Sequence, residues 1–293
     1  MPRRPFGKSA LETSVLGFGA GHIGGSELDE KDVDALLGAL LDLGVCLIDT
    51  ARSYGLSEER IGRHLSHRRN EFVLSTKGGY GIDGVADWTG EAISRGIDAA
   101  LARMKTDHID IFLLHSCPAD TLKRDDILGA LDGARAQGKI RVAGYSGENE
   151  ALDVAISTST FGAVQCSVNL CDQRSLDGAI ARAAEGGMGV LGKRAVANSA
   201  WNFSERPTGQ YAEVYWDRLK AMQLDPGSTE WLELALRFSA FAHGVSCVLV
   251  GTRNIDHLRA NAAIVEKGPL PESEVARIRN AFRDNDVGWF GQV

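Results

Sequence analysis

The chain has 293 residues, 44% of them hydrophobic and 24% charged, the proportions of a globular protein with a sizeable core. Its net charge of −7 opposes partnership with nucleic acid or an anionic membrane surface. No apolar run is long enough to span a bilayer, and the opening MPRRPFGKSALETS lacks the apolar stretch of a secretory signal. Cys46, Cys117, Cys166, Cys171 and Cys247 form no CxxC pair, so they read as reduced thiols in a cytoplasmic protein.

In chain order, short apolar runs alternate with longer amphipathic stretches. VLGFG at 15–19 precedes a helix pattern over 30–44, in which Val33, Leu36, Leu37, Leu40 and Leu41 share one face. A strand at 45–49 (VCLID) precedes a short helix at 57–65, and one at 72–77 (FVLSTK) precedes a Thr-capped helix at 89–105. Strands at 109–115 (IDIFLLH), 140–146 (IRVAGYS) and 163–168 (AVQCSV) are followed by helices at 125–139, 149–157 and 176–187. A strand at 189–193 leads to a helix at 228–244. The eighth strand, 246–251, is followed by helices at 255–265 and 271–282. Most of these runs do not alternate polar with apolar residues, the pattern of parallel strands buried on both faces. Eight strand–helix repeats with no linker predict one domain over 1–293, a closed (β/α)8 TIM barrel with an extra C-terminal helix. An open doubly wound sheet is the alternative.

GAGHIG at 19–24 matches the GxGxxG pattern of dinucleotide-binding sheets. That motif requires its glycines to open a helix facing a pyrophosphate. Here the next helix pattern begins near Glu30, so these glycines are expected in an ordinary loop.

In a barrel, chemistry gathers at the C-terminal ends of the strands. Asp49 ends the second strand, Lys77 the third and His115 the fourth, while Tyr54 follows the second strand by one short loop. Any one of these is a common cap or strand-end residue. Three adjacent strands that all end in ionisable groups are a site. An ammonium beside a phenol favours its ionised form, a carboxylate can hold that ammonium, and a histidine can bond a substrate oxygen. Such a set moves a proton to or from a carbonyl or alcohol oxygen, and reduction would further need a hydride donor.

With these residues in place, the chain resembles the aldo-keto reductase family along nearly its whole length. GVCLIDTARSYGLSEERIGRHL is similar to the family's strand-two signature, and STKGG and DIFLLH to the segments that carry its Lys and His. FGKSALETSVLGFGAGHIGG looks like its N-terminal β-hairpin and first strand. The resemblance implies a barrel that binds NADP(H) in an extended pose, with Tyr54 as general acid/base, Lys77 lowering its pKa, Asp49 holding Lys77, and His115 positioning the carbonyl. It implies that Ser146 and Gln165 hold the nicotinamide carboxamide. In VGTRNIDHLRANAAIV it places Gly251, Thr252, Arg253, His257 and Asn261 around the adenosine phosphate, with Arg253 toward a 2′-phosphate.

Three positions depart from the family pattern. Gly147 follows Ser146 where Asn is common. Lys193 and Arg194 stand where an aromatic often stacks on the nicotinamide, and they are assigned instead to the pyrophosphate. His257 and Ala260 replace an Arg and an acidic residue, which leaves NAD(H) open beside NADP(H). For the substrate pocket the expected walls are His22, Trp88, Trp201 and Trp289, with Phe290 nearby. The function expected is hydride transfer between the nicotinamide and a small aldehyde, ketone or aldose, or its alcohol, in a monomer or weak homo-oligomer. A nucleotide-binding regulatory module of the same fold is the alternative. A metal-dependent hydrolase built on Asp49 and His115 lacks the further ligands it would need, so no metal is expected.

Overall fold

The computed structural model describes residues 1–293. Two short strands open the chain, β1 (Arg3–Pro5) pairing antiparallel with β2 (Glu12–Ser14). Between them Phe6 is fully buried, and a Cβ on Gly189 would sit 2.3 Å from its ring. Phe6 joins Leu47, Val73, Ile111 and Leu191 in one apolar cluster, so the hairpin plugs the N-terminal end of the barrel.

The barrel strands are β3 (Leu16–Gly19), β4 (Leu47–Asp49), β5 (Val73–Gly78), β6 (Ile109–His115), β7 (Ile140–Ser146), β8 (Ala163–Ser167), β9 (Gly189–Lys193) and β10 (Cys247–Val250). All eight run parallel in sequence order, and β10 closes the ring on β3, with Val248 opposite Leu16. Closure of parallel strands on helical crossovers makes this a (β/α)8 TIM barrel. Around it lie α1 (Glu30–Asp42), α2 (Ser57–Leu65), α3 (Gly90–Met104), α4 (Asp125–Ala136), α5 (Asn149–Ser157), α6 (Ala179–Gly186), α7 (Glu213–Met222), α8 (Trp231–Ala240), α9 (Ile255–Glu266) and α10 (Glu272–Asn285). Asp29, Thr89 and Asn254 cap α1, α3 and α9, each side chain accepting a backbone N–H of the first turn.

Side chains alternate across each strand, so both faces can be buried and still differ. Ile48, Leu74, Phe112, Leu114 and Val164 meet the helices in the larger core. The inward series begins apolar with Leu47, Val73, Leu113 and Ala163. Two residues further on, the same series reaches Asp49, Ser75, His115 and Gln165. The barrel interior therefore changes from oil to polar groups as the strands rise.

Three local differences from the sequence reading have physical causes. Helix α7 was not predicted, because EVYWDRLKAM mixes charge and aromatics on a short stretch; its Tyr215, Leu219 and Met222 nevertheless pack in a second core with α8 and α10. The pattern at 176–187 splits into a 3-10 turn (Arg174–Asp177) and α6, because Gly178 departs from helical geometry at φ −132°, ψ −89°. The GAGHIG segment forms a 3-10 turn over Ala20–Ile23 and opens no helix at its glycines. No helix is long and apolar enough to cross a membrane. All five cysteines are free and buried, and burial pushes the Cys117 and Cys171 thiols up to about 12.

Candidate active site

Where β4 and β5 end, Lys77 Nζ donates to Asp49 Oδ2 at 2.5 Å and to the Thr50 carbonyl at 2.8 Å. The other Asp49 oxygen accepts from Ser75 Oγ at 2.8 Å and from Gln165 Nε2 at 3.0 Å. Lys77 and Asp49 are only 2% and 3% exposed, and a buried ion pair persists when its remaining donors and acceptors are met, as they are here. Burial pulls the Lys77 ammonium down, but the Asp49 charge and Tyr54 outweigh it and hold it above the ordinary lysine value.

An ammonium has three donors, and the side of Lys77 not turned to Asp49 and Thr50 lies beside Tyr54, 5.1 Å from its ring centre. The loop after β4 brings Tyr54 edge-on to His115, with ring centres 6.0 Å apart at 84°. Burial, then the charges of Lys77 and Lys193, pull His115 down to about 3, so its imidazole is neutral. Asp49, Tyr54, Lys77 and His115 are thus assembled at one end of the barrel. The loop after β5 adds Tyr80, whose hydroxyl lies 2.7 Å from His115 Nδ1 and 2.9 Å from Ser53 Oγ.

Above this set opens a cavity of about 810 Å³ lined by His22, Asp49, Tyr54, His115, Ser146 and Gln165. Ser146 Oγ donates to Gln165 Oε1 at 2.8 Å, which orients the amide that also reaches Asp49. A second cavity of about 540 Å³, lined by Trp201, Trp231, Thr252, His257 and Asn261, continues from the first. The two share Val196, Ser199, Val250 and Gly251, so they form one extended cleft. Asn261 is buried in its wall, and its Oδ1 has no protein partner. At the opposite end of the barrel a cavity of about 170 Å³ is walled by Asp110, which Arg69, Arg141 and the Leu74 N–H already satisfy.

Gly251 has to be small, since a Cβ there would lie 2.2 Å from His22 Cδ2. Thr252 Oγ1 accepts from the Asn254 N–H at 3.0 Å and braces the start of α9. Arg253 pairs with Glu27 at 3.1 Å in the open. Lys193 pairs with the buried Glu148 at 3.2 Å, and Arg194 donates to Ser167 Oγ at 3.1 Å and to the Gln292 carbonyl. Glu148 also accepts from Ser167 N and Oγ, while Gly147 leaves room for the Tyr145 hydroxyl, 2.1 Å from where a Cβ would be.

Of the expected pocket walls, His22 lines the first cavity and the tryptophans lie elsewhere. Trp88 packs behind the wall on Gly79 and Tyr80. Trp201 stacks on Trp231 at 5.7 Å in the second cavity. Trp289 lies against Phe282 and beneath the Arg218 guanidinium, and Phe290 is 75% exposed. Tyr80, Ser53, Glu148 and Glu27 were not read from the sequence; Tyr80 lies in the loop after β5, where no periodicity marks which way a side chain turns. No three His, Cys, Asp or Glu side chains converge as a metal site requires.

Comparison with known proteins agrees with this geometry. A sequence model described as the Aldo/keto reductase family matches residues 15–283, and the chain belongs to that family of oxidoreductases. It is 25% identical to the uncharacterized oxidoreductase YqkF of Bacillus subtilis over 96% of both chains. It is 26% identical to L-galactose dehydrogenase of Arabidopsis thaliana, over 89% of this chain and 87% of that one. Among solved structures, the holo form of aldo-keto reductase AKR11C1 from Bacillus halodurans superposes with a TM-score of 0.84, at 27% identity over 96% of both chains.

Proposed function

We propose that the chain is an NADP(H)-dependent oxidoreductase that interconverts a carbonyl and its alcohol on a hydroxylated small molecule of the aldose class, NAD(H) being a possible second cofactor. The observation that carries the reading is the buried Lys77 held by Asp49 beside Tyr54, with a neutral His115 facing the same cavity. Tyr54 is the general acid in the reducing direction and the base in the other. Lys77 sets its ammonium beside the phenol, 5.1 Å from the ring centre. Asp49 fixes the ammonium, and His115 bonds the reacting oxygen.

The cleft suits an extended dinucleotide. Ser146 and Gln165 present hydroxyl and amide groups to a carboxamide above the tetrad, and the unpartnered Asn261 Oδ1 offers an acceptor to an adenine amine. When bound, the nicotinamide supplies the hydride chemistry that these side chains lack. Arg253, released from Glu27, is the cation for a 2′-phosphate. The substrate class follows from the polar lining, since Ser53, Ser116, Asn198 and Ser199 suit a molecule with several hydroxyls. The relationship to L-galactose dehydrogenase supports it.

The test is a paired screen, NADPH or NADH oxidation over aldehydes, ketones and aldoses, and NADP or NAD reduction over alcohols and aldoses. Aldoses are expected to give the highest kcat/KM. Tyr54→Phe should lower turnover by about 10²–10⁴-fold while leaving nucleotide binding, read by protein fluorescence, unchanged. Nucleotide binding without turnover on any substrate would replace this reading with a nucleotide-binding module.

A further inference from the structure

Tyr80 does not line the cavity above the tetrad, yet the chain is built to place its hydroxyl 2.7 Å from His115 Nδ1. Gly79 takes φ +121°, and a Cβ there would lie 2.2 Å from Trp88 Cζ3. The Trp88 N–H returns to the Gly79 carbonyl at 2.6 Å, and its ring meets Tyr80 at 5.6 Å. On the other side the Tyr80 ring packs against His115 at 5.8 Å. Tyr80 is therefore held between a tryptophan and the imidazole, with Ser53 Oγ 2.9 Å from its oxygen.

We propose that Tyr80 is a positioning residue that donates its hydroxyl proton to His115 Nδ1, fixing the tautomer in which Nε2–H is presented to the substrate oxygen. The assignment of a substrate oxygen to His115 rests on the function proposed above; the tautomer itself does not. A neutral imidazole has one N–H and one lone pair, and the partner of one nitrogen decides what the other offers. Burial and the two nearby ammonium groups keep His115 neutral, so a single proton has to be placed.

Two hydrogen-bond orders could link Ser53, Tyr80 and His115. In one, Tyr80 donates to Nδ1 and receives from the Ser53 hydroxyl. In the other, Nδ1–H donates to Tyr80, which donates to Ser53. An imidazole nitrogen is a far stronger acceptor than an aliphatic hydroxyl, and the contact to it is the shorter of the two. The second order would also aim the Nε2 lone pair at the oxygen of a bound carbonyl or alkoxide, where it would repel. The first order makes His115 a second donor beside Tyr54.

The experiment is nitrogen-15 NMR of the ligand-free full chain labelled at histidine, with the His115 signals assigned by their loss in His115→Asn. In the unmutated protein His115 should carry its proton on Nε2 and show an unprotonated Nδ1. Tyr80→Phe keeps both ring contacts and removes the hydroxyl, and should give a mixture of the two tautomers. On the best substrate from the screen, the same variant should lose roughly ten-fold in kcat, the equivalent of one hydrogen bond, with little change in nucleotide affinity. A proton on Nδ1 in the unmutated protein overturns the proposal, and so does a Tyr80→Phe spectrum still purely Nε2–H. Should the tautomers behave as expected while no carbonyl or alcohol is turned over, the proposed function fails and the role of Tyr80 in setting the imidazole stands.

Discussion

On the β4–β6 wall of the cleft, Lys77 and Asp49 bond each other with side chains 1% and 5% exposed, and Ser75 and Gln165 fill the remaining positions of the carboxylate. Across the cleft, at β10 and α9, Arg253 meets Glu27 with side chains 57% and 65% exposed. Both are ion pairs at the mouth of one barrel, but water separates their meanings. An exposed pair contributes about 0–1 kcal/mol and is readily exchanged for another partner. A buried one, if one partner is lost, leaves a charge whose isolation costs about 3–5 kcal/mol. The first wall is fixed before any ligand arrives, as the proposed proton transfer requires. The second holds its cation on a contact that a phosphate could displace.

The strongest way to break this contrast is Lys77→Met. It should remove turnover and also lower stability by about 3–5 kcal/mol, because the buried Asp49 loses its counter-charge. Chemical denaturation would measure this, and adding Asp49→Asn should restore most of the stability and none of the activity. Acid comes next. His115 is held neutral down to about 3, whereas an unfolded chain protonates histidine from about 6.5. The unfolded state then binds more protons, so His115 should draw stability down progressively as pH falls from about 6.5 toward about 3. Unfolding midpoints of the unmutated chain and His115→Asn across that window should converge if this residue is responsible.

A smaller effect is expected of Gly79→Ala. Its Cβ would have to enter the Trp88 ring at a φ of +121°, a strain of about 1–3 kcal/mol. The thermal midpoint should fall, and kcat should fall with it as Tyr80 shifts from His115. Smallest is Glu27→Gln, which frees Arg253 on the exposed wall. Stability should change by less than about 1 kcal/mol, while affinity for NADPH rises several-fold over that for NADH. An unchanged preference in a fluorescence titration would take Arg253 out of the phosphate site.

The same contrast explains what could be read from the sequence. Asp49, Lys77 and His115 interrupt or end apolar runs, and a charge at the end of a buried strand is conspicuous in any sequence. The barrel was legible for a similar reason, since eight apolar runs separated by helix patterns leave few ways to bury both faces. Tyr80, Glu148 and Glu27 sit in loops, where neither periodicity nor propensity indicates which way a side chain turns. Trp88, Trp201 and Trp289 illustrate the opposite difficulty: a large aromatic in a loop is conspicuous, but it covers a glycine or a helix as readily as a ligand. Helix α7 was hidden because its short stretch mixes charges with aromatics, and its apolar face is completed only by packing on α8 and α10.

The closure of β10 on β3 also bears on how the protein comes to exist at all. Val248 pairs with Leu16, and Gln165 reaches Asp49 across 116 residues of chain. Contacts of such separation are late events in folding, because a long loop has to be closed before they return any energy. Asp49, Lys77 and His115 stand on the adjacent strands β4, β5 and β6, whereas the Gln165 amide that completes the Asp49 carboxylate comes from β8. A half-folded intermediate would have helices and several paired strands, yet it would hold Lys77 without a completed cage around its carboxylate. The last donor to the Asp49 carboxylate therefore arrives only when β8 has taken its place in the barrel.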